Sequence, residues 1–152
     1  MAYSSEFPPF AVTVDMVVFA DSARQVLLVR RGYPPYEGAL ALPGGFVEID
    51  ESLDVAARRE LAEETGVDVA GVRIEQLGAY GDPDRDPRGR TVSVVYVAVL
   101  PDVAEATAGD DAAAADWHRL ADLDPSALAF DHAQVLSDAV AVVRERPLSP
   151  GS

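Results

Sequence analysis

The stretch from Gly45 to Val67 limits the fold of this chain more than any other part of the sequence. It follows the pattern G-x5-E-x7-R-E-U-x-E-E-x-G-U, in which U is a bulky aliphatic residue. Ser52 is a suitable N-cap, good helix formers follow it up to Thr65, and Gly66 suits the C-terminal cap. The pattern therefore predicts a single helix over 52–65 with a glycine turn on each side.

One face of this helix is apolar and the other is unusually acidic. Leu53, Ala57 and Leu61 recur every four residues and form the stripe that we expect to be buried. Glu60 and Glu64 are like charges four residues apart, which costs a few tenths of a kcal/mol. A carboxylate in the last turn of a helix costs a further ~0.3–1 kcal/mol, because the helix dipole is negative there. The acidic face is either a solvated surface or a site that holds cations.

The residue types around this face indicate which cation it would hold. An all-oxygen ligand set favours Mg²⁺ or Mn²⁺ over zinc. The Gly44-Gly45 pair lets the backbone approach closely and turn a carbonyl oxygen toward the same site. Arg59 lies four residues before Glu63 and can reach and orient that carboxylate.

The complete pattern is similar to the Nudix box, the signature of hydrolases that cleave a nucleoside diphosphate linked to another group. Seven fixed residues, each used at roughly 7% of positions, would coincide by chance about once in 10⁸ windows. The resemblance covers about 10–144 and implies that Glu60 and Glu64 are the principal metal ligands and act in catalysis. The resemblance also implies that the carbonyl of Gly44 or Gly45 lies beside them. It adds Glu51 and Glu63 as further metal ligands, and Glu63 and Arg59 as further catalytic residues.

The rest of the sequence fits the α/β/α sandwich with a mixed β-sheet that this resemblance implies. We predict strands over 10–19, 25–31, 39–42, 72–80, 91–100 and 117–120. Asp131 and Gln134 form a capping-box-like start for a helix that ends near Arg144. The elements alternate without regular βαβ spacing, which indicates an α/β (α+β) domain over 10–144. We expect an N-terminal arm over 1–9 and a disordered tail over 145–152.

Segments outside the box resemble the small ADP-ribose pyrophosphatases. They are LPGGFVE over 42–48, GDPDRDPRGRTVS over 81–93 and AFDHAQVL over 129–136, and Pro83 lies 16 residues beyond Val67. The resemblance implies hydrolysis of ADP-ribose to AMP and ribose 5-phosphate. The alternatives are a Nudix enzyme for an oxidised dNTP or a dinucleoside polyphosphate, and a non-catalytic ADP-ribose sensor.

Candidate substrate contacts lie on three other segments of the chain. Arg85 and Arg88 could grip phosphate, or could form an ion-pair cluster with the aspartates of their own loop. Tyr80 could stack on adenine or belong to the core. Arg30 and its neighbour Arg31 could face the cleft or the solvent.

The resemblance also implies a further acid in the loop after the longest strand, as metal ligand or general base. Asp111 fits this role best, followed by Asp110, and Glu60 is the rival candidate for the base. We assign structural roles to His118 and His132.

The acidic composition limits the partners of this protein. With 26 acidic and 12 basic residues, the net charge is −14, which repels nucleic acid. An anionic substrate would be repelled too, unless divalent cations or local arginines intervene. The chain has no cysteine, no apolar run long enough to span a membrane and no signal-peptide pattern at its start. We expect a cytoplasmic protein without nucleic-acid or membrane partners, and the resemblance leaves a homodimer open.

Overall fold

The computed structural model describes residues 7–109 and 112–145, which form seven strands, two α-helices and two 3₁₀ turns. The strands are β1 (Ala11–Ala20), β2 (Gln25–Arg31), β3 (Leu40–Ala41), β4 (Gly44–Phe46), β5 (Glu75–Tyr80), β6 (Thr91–Val99) and β7 (Ala112–Arg119). The helices are α1 (Leu53–Thr65) and α2 (His132–Glu145), and the 3₁₀ turns cover Leu120–Asp122 and Pro125–Ala127.

The strands form a mixed sheet around β1, which is the central strand. β1 runs parallel to β6 from the Ala11–Thr91 pair to the Phe19–Val99 pair, whereas the other strand pairs are antiparallel. The first half of β1 lies beside β4 and its last two residues lie beside β2. Since β3 pairs with β2, the chain crosses from one neighbour of β1 to the other between β3 and β4. The functional cleft lies at this crossing.

Each face of the sheet is covered by one helix. Alternate residues of β1 point to opposite faces, so Val17 and Phe19 pack in the core that includes α2, whereas Met16 and Val18 pack against α1. All four side chains are fully buried, as is Leu61 of α1. These two cores confirm the predicted α/β/α sandwich with a mixed sheet.

The first helix agrees closely with the sequence-based expectation. α1 starts after Ser52 and ends at Thr65, and Gly66 takes the left-handed conformation with φ 71°. The Ser52 side chain makes no capping hydrogen bond to the backbone, although its own backbone is extended as at a normal N-cap. The second helix includes Glu145, which the predicted tail over 145–152 had excluded. The proposed arm and tail otherwise fall largely on residues 1–6 and 146–152, outside the described ranges.

Three strand predictions were wrong or incomplete because long-range pairing decides these strands. The strand predicted over 117–120 starts earlier, because β7 begins at Ala112 and pairs with β2 along almost its full length. β4 was predicted as a turn but pairs with β1, and β5 begins at Glu75 instead of 72. Hydrogen bonds to a distant neighbour stabilise strands whose local sequence has little strand propensity. Among the described residues, no helix has the length and apolar character needed to cross a membrane.

We predict that Leu61→Ala lowers the free energy of unfolding by about 2–5 kcal/mol, because it leaves a cavity between α1 and the sheet. Urea unfolding monitored by circular dichroism measures the loss. Val55→Ala on the same helix is the control: Val55 is 52% exposed, so its loss should stay below about 0.5 kcal/mol. Equal losses in the two variants would contradict the assignment of the buried face.

Candidate functional site

A cleft of about 480 Å³ lies where the chain passes from β3 to β4. One wall is formed by Glu60 and Glu64 of α1 together with the Gly44–Gly45 backbone. The rest of the lining includes the end of β2, the loop over 85–88 and the start of α2. The site is therefore built from segments that are distant in the sequence and that the sheet crossing brings together.

Glycine at 44 and 45 allows β4 to lie directly against its neighbours. A Cβ atom on Gly45 would lie 2.5 Å from the carboxylate carbon of Glu60, and one on Gly44 would lie 2.1 Å from the carbonyl oxygen of Val14. The Gly44 N–H donates a hydrogen bond of 2.7 Å to Oε1 of Glu64. No larger residue fits at either position without moving the carboxylates or β1.

The Arg59 guanidinium gathers three of the box carboxylates. It donates to both oxygens of Glu51, at 2.5 and 2.8 Å, and to Oε1 of Glu60 at 2.8 Å. The contact to Glu63 expected from the helical spacing is present at 3.1 Å, and Nη2 also reaches the carbonyl oxygen of Phe46. The hydrogen bond from Arg59 lowers the pKa of Glu51 to about 2. Burial raises the pKa of Glu60 despite the opposing effect of Arg59.

The carboxylates have the chemistry of a divalent-cation site, but they are not arranged around one point. Within 7–109 and 112–145, no three His, Asp or Glu side chains converge in a way that could hold a metal ion. Glu60 and Glu64 border the cleft and offer only oxygen donors beside the glycine backbone, which fits Mg²⁺ or Mn²⁺. Glu51 and Glu63 do not border the cleft, and both would have to turn away from Arg59 to bind an ion there.

The arginines of the 85–88 loop are already paired with aspartates. Arg85 is buried and makes a two-pronged hydrogen-bonded pair with Asp131 at the start of α2, at 2.9 and 2.7 Å. Arg88 makes a similar pair with Asp86. Burial alone would raise the pKa of Asp86, but the hydrogen bonds from Arg88 lower it overall. Both arginines border the cleft, and a substrate contact by Arg85 would have to share its guanidinium with Asp131.

The remaining predicted contacts have different outcomes. Tyr80 does not stack in the cleft, because its ring packs in the α2-side core and its hydroxyl donates to Asp138 of α2 at 2.7 Å. Arg30 is exposed at the rim of the cleft and donates to the carbonyl oxygen of Gly38. Asp110 and Asp111 lie outside the described residues, although Gly109 before them donates to the backbone carbonyl of Glu64.

The floor of the cleft contains a buried polar group that the sequence analysis missed. Asp15 of β1 accepts a hydrogen bond from the Ser93 hydroxyl of β6, and its Oδ2 lies 3.8 Å from Nε2 of His132. Nδ1 of His132 accepts from the backbone N–H of Leu42, so the ring proton belongs on Nε2, facing Asp15. The signal was a single aspartate within an apolar strand, since a buried charge is costly unless it is paired.

We predict that His132 makes stability depend on pH. Burial lowers its pKa in the folded protein, so the unfolded chain takes up a proton near pH 6.5 that the folded protein does not. As pH falls through 6.5, wild type should lose stability relative to His132→Asn, by up to about 1.4 kcal/mol per pH unit. Urea unfolding between pH 8 and 5 measures this difference. Gln134→Asn is the control: the difference in unfolding free energy between it and wild type should not change with pH. If the difference for His132→Asn also does not change with pH, the lowered pKa of His132 is wrong.

Comparison with known proteins identifies relatives over most of the chain. A family model for the NUDIX domain matches residues 9–139. The ADP-ribose pyrophosphatase of Methanocaldococcus jannaschii is 43% identical over 128 residues, which cover 84% of this chain and 72% of that protein. The ADPR responsive transcriptional repressor NtrR of Acinetobacter baylyi is 36% identical over 90% of this chain, which spans just over half of that protein, 56%.

A solved structure agrees with the sequence matches. The NUDIX domain of Shewanella oneidensis NrtR, crystallised in complex with ADP ribose, has a TM-score of 0.80 and 36% sequence identity to this chain. The match covers 96% of this chain and 94% of that domain. Together with the match of the family model over 9–139, this likeness shows that the chain belongs to the NUDIX family.

Proposed function

We propose that this protein is a NUDIX hydrolase that uses divalent cations to hydrolyse ADP-ribose to AMP and ribose 5-phosphate. The observation that carries the proposal is the pair of box carboxylates, Glu60 and Glu64, at the wall of a polar cleft against the Gly44–Gly45 backbone. The 43% identity to an ADP-ribose pyrophosphatase supports the choice of substrate.

The residues that would hold the cations follow from the geometry of the α1 wall. Glu60, Glu64 and a carbonyl of Gly44 or Gly45 are the principal ligands, and Glu51 and Glu63 join them if they leave Arg59. Mg²⁺ and Mn²⁺ both suit this oxygen set. Once bound, such ions polarise the phosphoryl oxygens and lower the pKa of the attacking water.

The protein itself supplies proton transfer and charge at the cleft. Glu60 is a candidate general base, because burial raises the pKa of its carboxyl and so makes the carboxylate a stronger base. Asp111 remains the rival base. Arg59 holds Glu60 by a hydrogen bond to Oε1 until a cation binds, and Arg88 and Arg30 are proposed contacts to the phosphate or ribose.

The distribution of positive charge favours an anionic substrate. Five of the 12 basic residues of the chain border the cleft, namely Arg30, Arg31, Arg59, Arg85 and Arg88. Five acidic residues of the described ranges also border it, so the lining is balanced in charge, whereas the protein as a whole has a net charge of −14. An anion is therefore repelled less at the cleft than the net charge would suggest.

A second candidate is an ADP-ribose sensor without turnover. It is favoured by the similarity to the NtrR repressor of Acinetobacter baylyi and to an NrtR domain crystallised with ADP ribose. The sensor and the enzyme make the same prediction for binding, and turnover separates them.

We predict that Gly45→Ala weakens Mn²⁺ binding at least tenfold and lowers turnover at least 100-fold, because the new Cβ displaces the Glu60 carboxylate. Electron paramagnetic resonance of Mn²⁺ measures the binding. Gly71→Ala is the control, since a Cβ at Gly71 meets no atom within 4 Å, and it should change neither quantity. Unchanged Mn²⁺ affinity in a folded Gly45→Ala variant would rule out the proposed cradle.

We predict that, with Mg²⁺, kcat/KM for ADP-ribose exceeds that for oxidised dNTPs and dinucleoside polyphosphates at least tenfold. Glu60→Gln should lower turnover by roughly 10²–10⁴-fold, whereas Glu145→Gln on the exposed end of α2 should leave it unchanged. A triphosphate as the best substrate would refute the ADP-ribose assignment and keep the hydrolase. Binding of ADP-ribose without turnover by wild type would favour the sensor.

A further inference from the structure

Arg31, at the end of β2, is a charged side chain whose closest contacts are a backbone carbonyl and an aromatic ring. It is half-buried, its Nε donates to the carbonyl oxygen of Pro35 at 2.7 Å, and its guanidinium carbon lies 4.9 Å from the centre of the Phe130 ring. Among the described residues, no carboxylate forms an ion pair with it. The guanidiniums of Arg59, Arg85 and Arg88 in the same cleft are each paired with Asp or Glu.

A second guanidinium lies over the same ring. The guanidinium carbon of Arg88 is 5.6 Å from the centre of Phe130 and 5.5 Å from that of Phe46 on β4. Burial and the charge of Arg88 both lower the pKa of Arg31, and the more distant carboxylates of Glu64, Asp86 and Asp15 oppose this. The two like charges at one ring repel each other, and an anion that joined them would offset this repulsion.

The ring that both guanidiniums contact is held in a strained backbone conformation. Phe130 has φ 52°, which is disfavoured for a bulky side chain. The backbone is fixed on both sides, because the Ala129 N–H donates to Leu40 and the Asp131 carboxylate binds Arg85. The ring also contacts Tyr36, whose φ of 59° is similarly disfavoured. Strain of this kind is retained where it positions a functional group.

We infer that Arg31 and Arg88, aligned on Phe130, form an oxyanion subsite that binds phosphate oxygens of the substrate. The carboxylates of Glu60 and Glu64 repel phosphate unless cations lie between them, so this subsite supplies the contacts that the protein can make directly. A planar guanidinium suits phosphate oxygens because it can donate two parallel hydrogen bonds. The inference rests on the proposed function for the identity of the nucleotide, but the binding of a phosphate anion can be tested without turnover.

An adenine base could also stack at this place, but the charges favour phosphate. A neutral base would leave the repulsion between Arg31 and Arg88 in place, whereas a phosphate would give Arg31 a counter-ion and offset that repulsion. The experiment therefore compares an anion that has no base with a nucleoside that has no phosphate.

The test is calorimetric titration in EDTA with inorganic pyrophosphate and, separately, with adenosine. Wild type should bind pyrophosphate, and Arg31→Gln should weaken this binding at least tenfold, with Arg31→Lys between the two because it keeps the charge but loses the planar group. Arg24→Gln is the charge-matched control: Arg24 is exposed, is paired with Asp21 and does not line the cleft, so the affinity should not change. Adenosine binding should not respond to Arg31→Gln.

Thermal unfolding of the ligand-free variants separates a binding role from a structural one. Arg31→Gln removes the repulsion from Arg88, so its Tm should be no lower than that of wild type. A lower Tm with unchanged pyrophosphate affinity would show that Arg31 is structural and overturn the inference. The inference is also overturned if wild type binds no pyrophosphate in EDTA, or if Arg31→Gln abolishes the binding of adenosine and not that of pyrophosphate. Failure of ADP-ribose hydrolysis alone would refute the proposed function and leave these binding results intact.

Discussion

The hydrogen bonds of the Arg59 guanidinium hold the site in place. This one group contacts Glu51, Glu60 and Glu63, and it also reaches the carbonyl oxygen of Phe46 on β4. It thereby joins the strand, the following loop and α1, and it neutralises part of a cluster of glutamates that would otherwise repel each other. The same oxygens are those that a divalent cation would bind, so cation binding and the Arg59 contacts compete for Glu60. A cation must therefore bind Glu60 more strongly than Arg59 does before Glu60 can move to the metal site.

The position of the cleft follows from the sheet topology. β1 exchanges one antiparallel neighbour for another along its length, and the chain between β3 and β4 crosses at that place. The crossing brings the carboxylates of α1 into one cleft with arginines from the end of β2 and the 85–88 loop. An anionic substrate could therefore contact cations held by the carboxylates and the arginines at the same time, even though the whole protein carries a net charge of −14.

Features that depend on neighbouring residues were predictable from the sequence, and features that depend on distant pairing were not. The bounds of α1 and the left-handed Gly66 follow from local capping signals, and the contact of Arg59 with Glu63 follows from helical spacing. Only the end of β7 was predicted, because the alanines at its start form a strand only through hydrogen bonds to β2. The same reason applies to side chains. Tyr80 donates a hydrogen bond to Asp138, and Arg85 binds Asp131 instead of the aspartates of its own loop. Asp15, Arg31 and Phe130 meet at the cleft only because the fold brings three distant segments together.

Anomalous diffraction from a crystal grown with Mn²⁺ tests the central claim most directly, because it locates the ion without reference to activity. The account predicts an anomalous peak within about 2.0–2.6 Å of carboxylate oxygens of both Glu60 and Glu64, beside the Gly44–Gly45 backbone, with Glu60 turned away from Arg59. A structure in which Glu60 stays on Arg59, with no peak near either carboxylate, would contradict it.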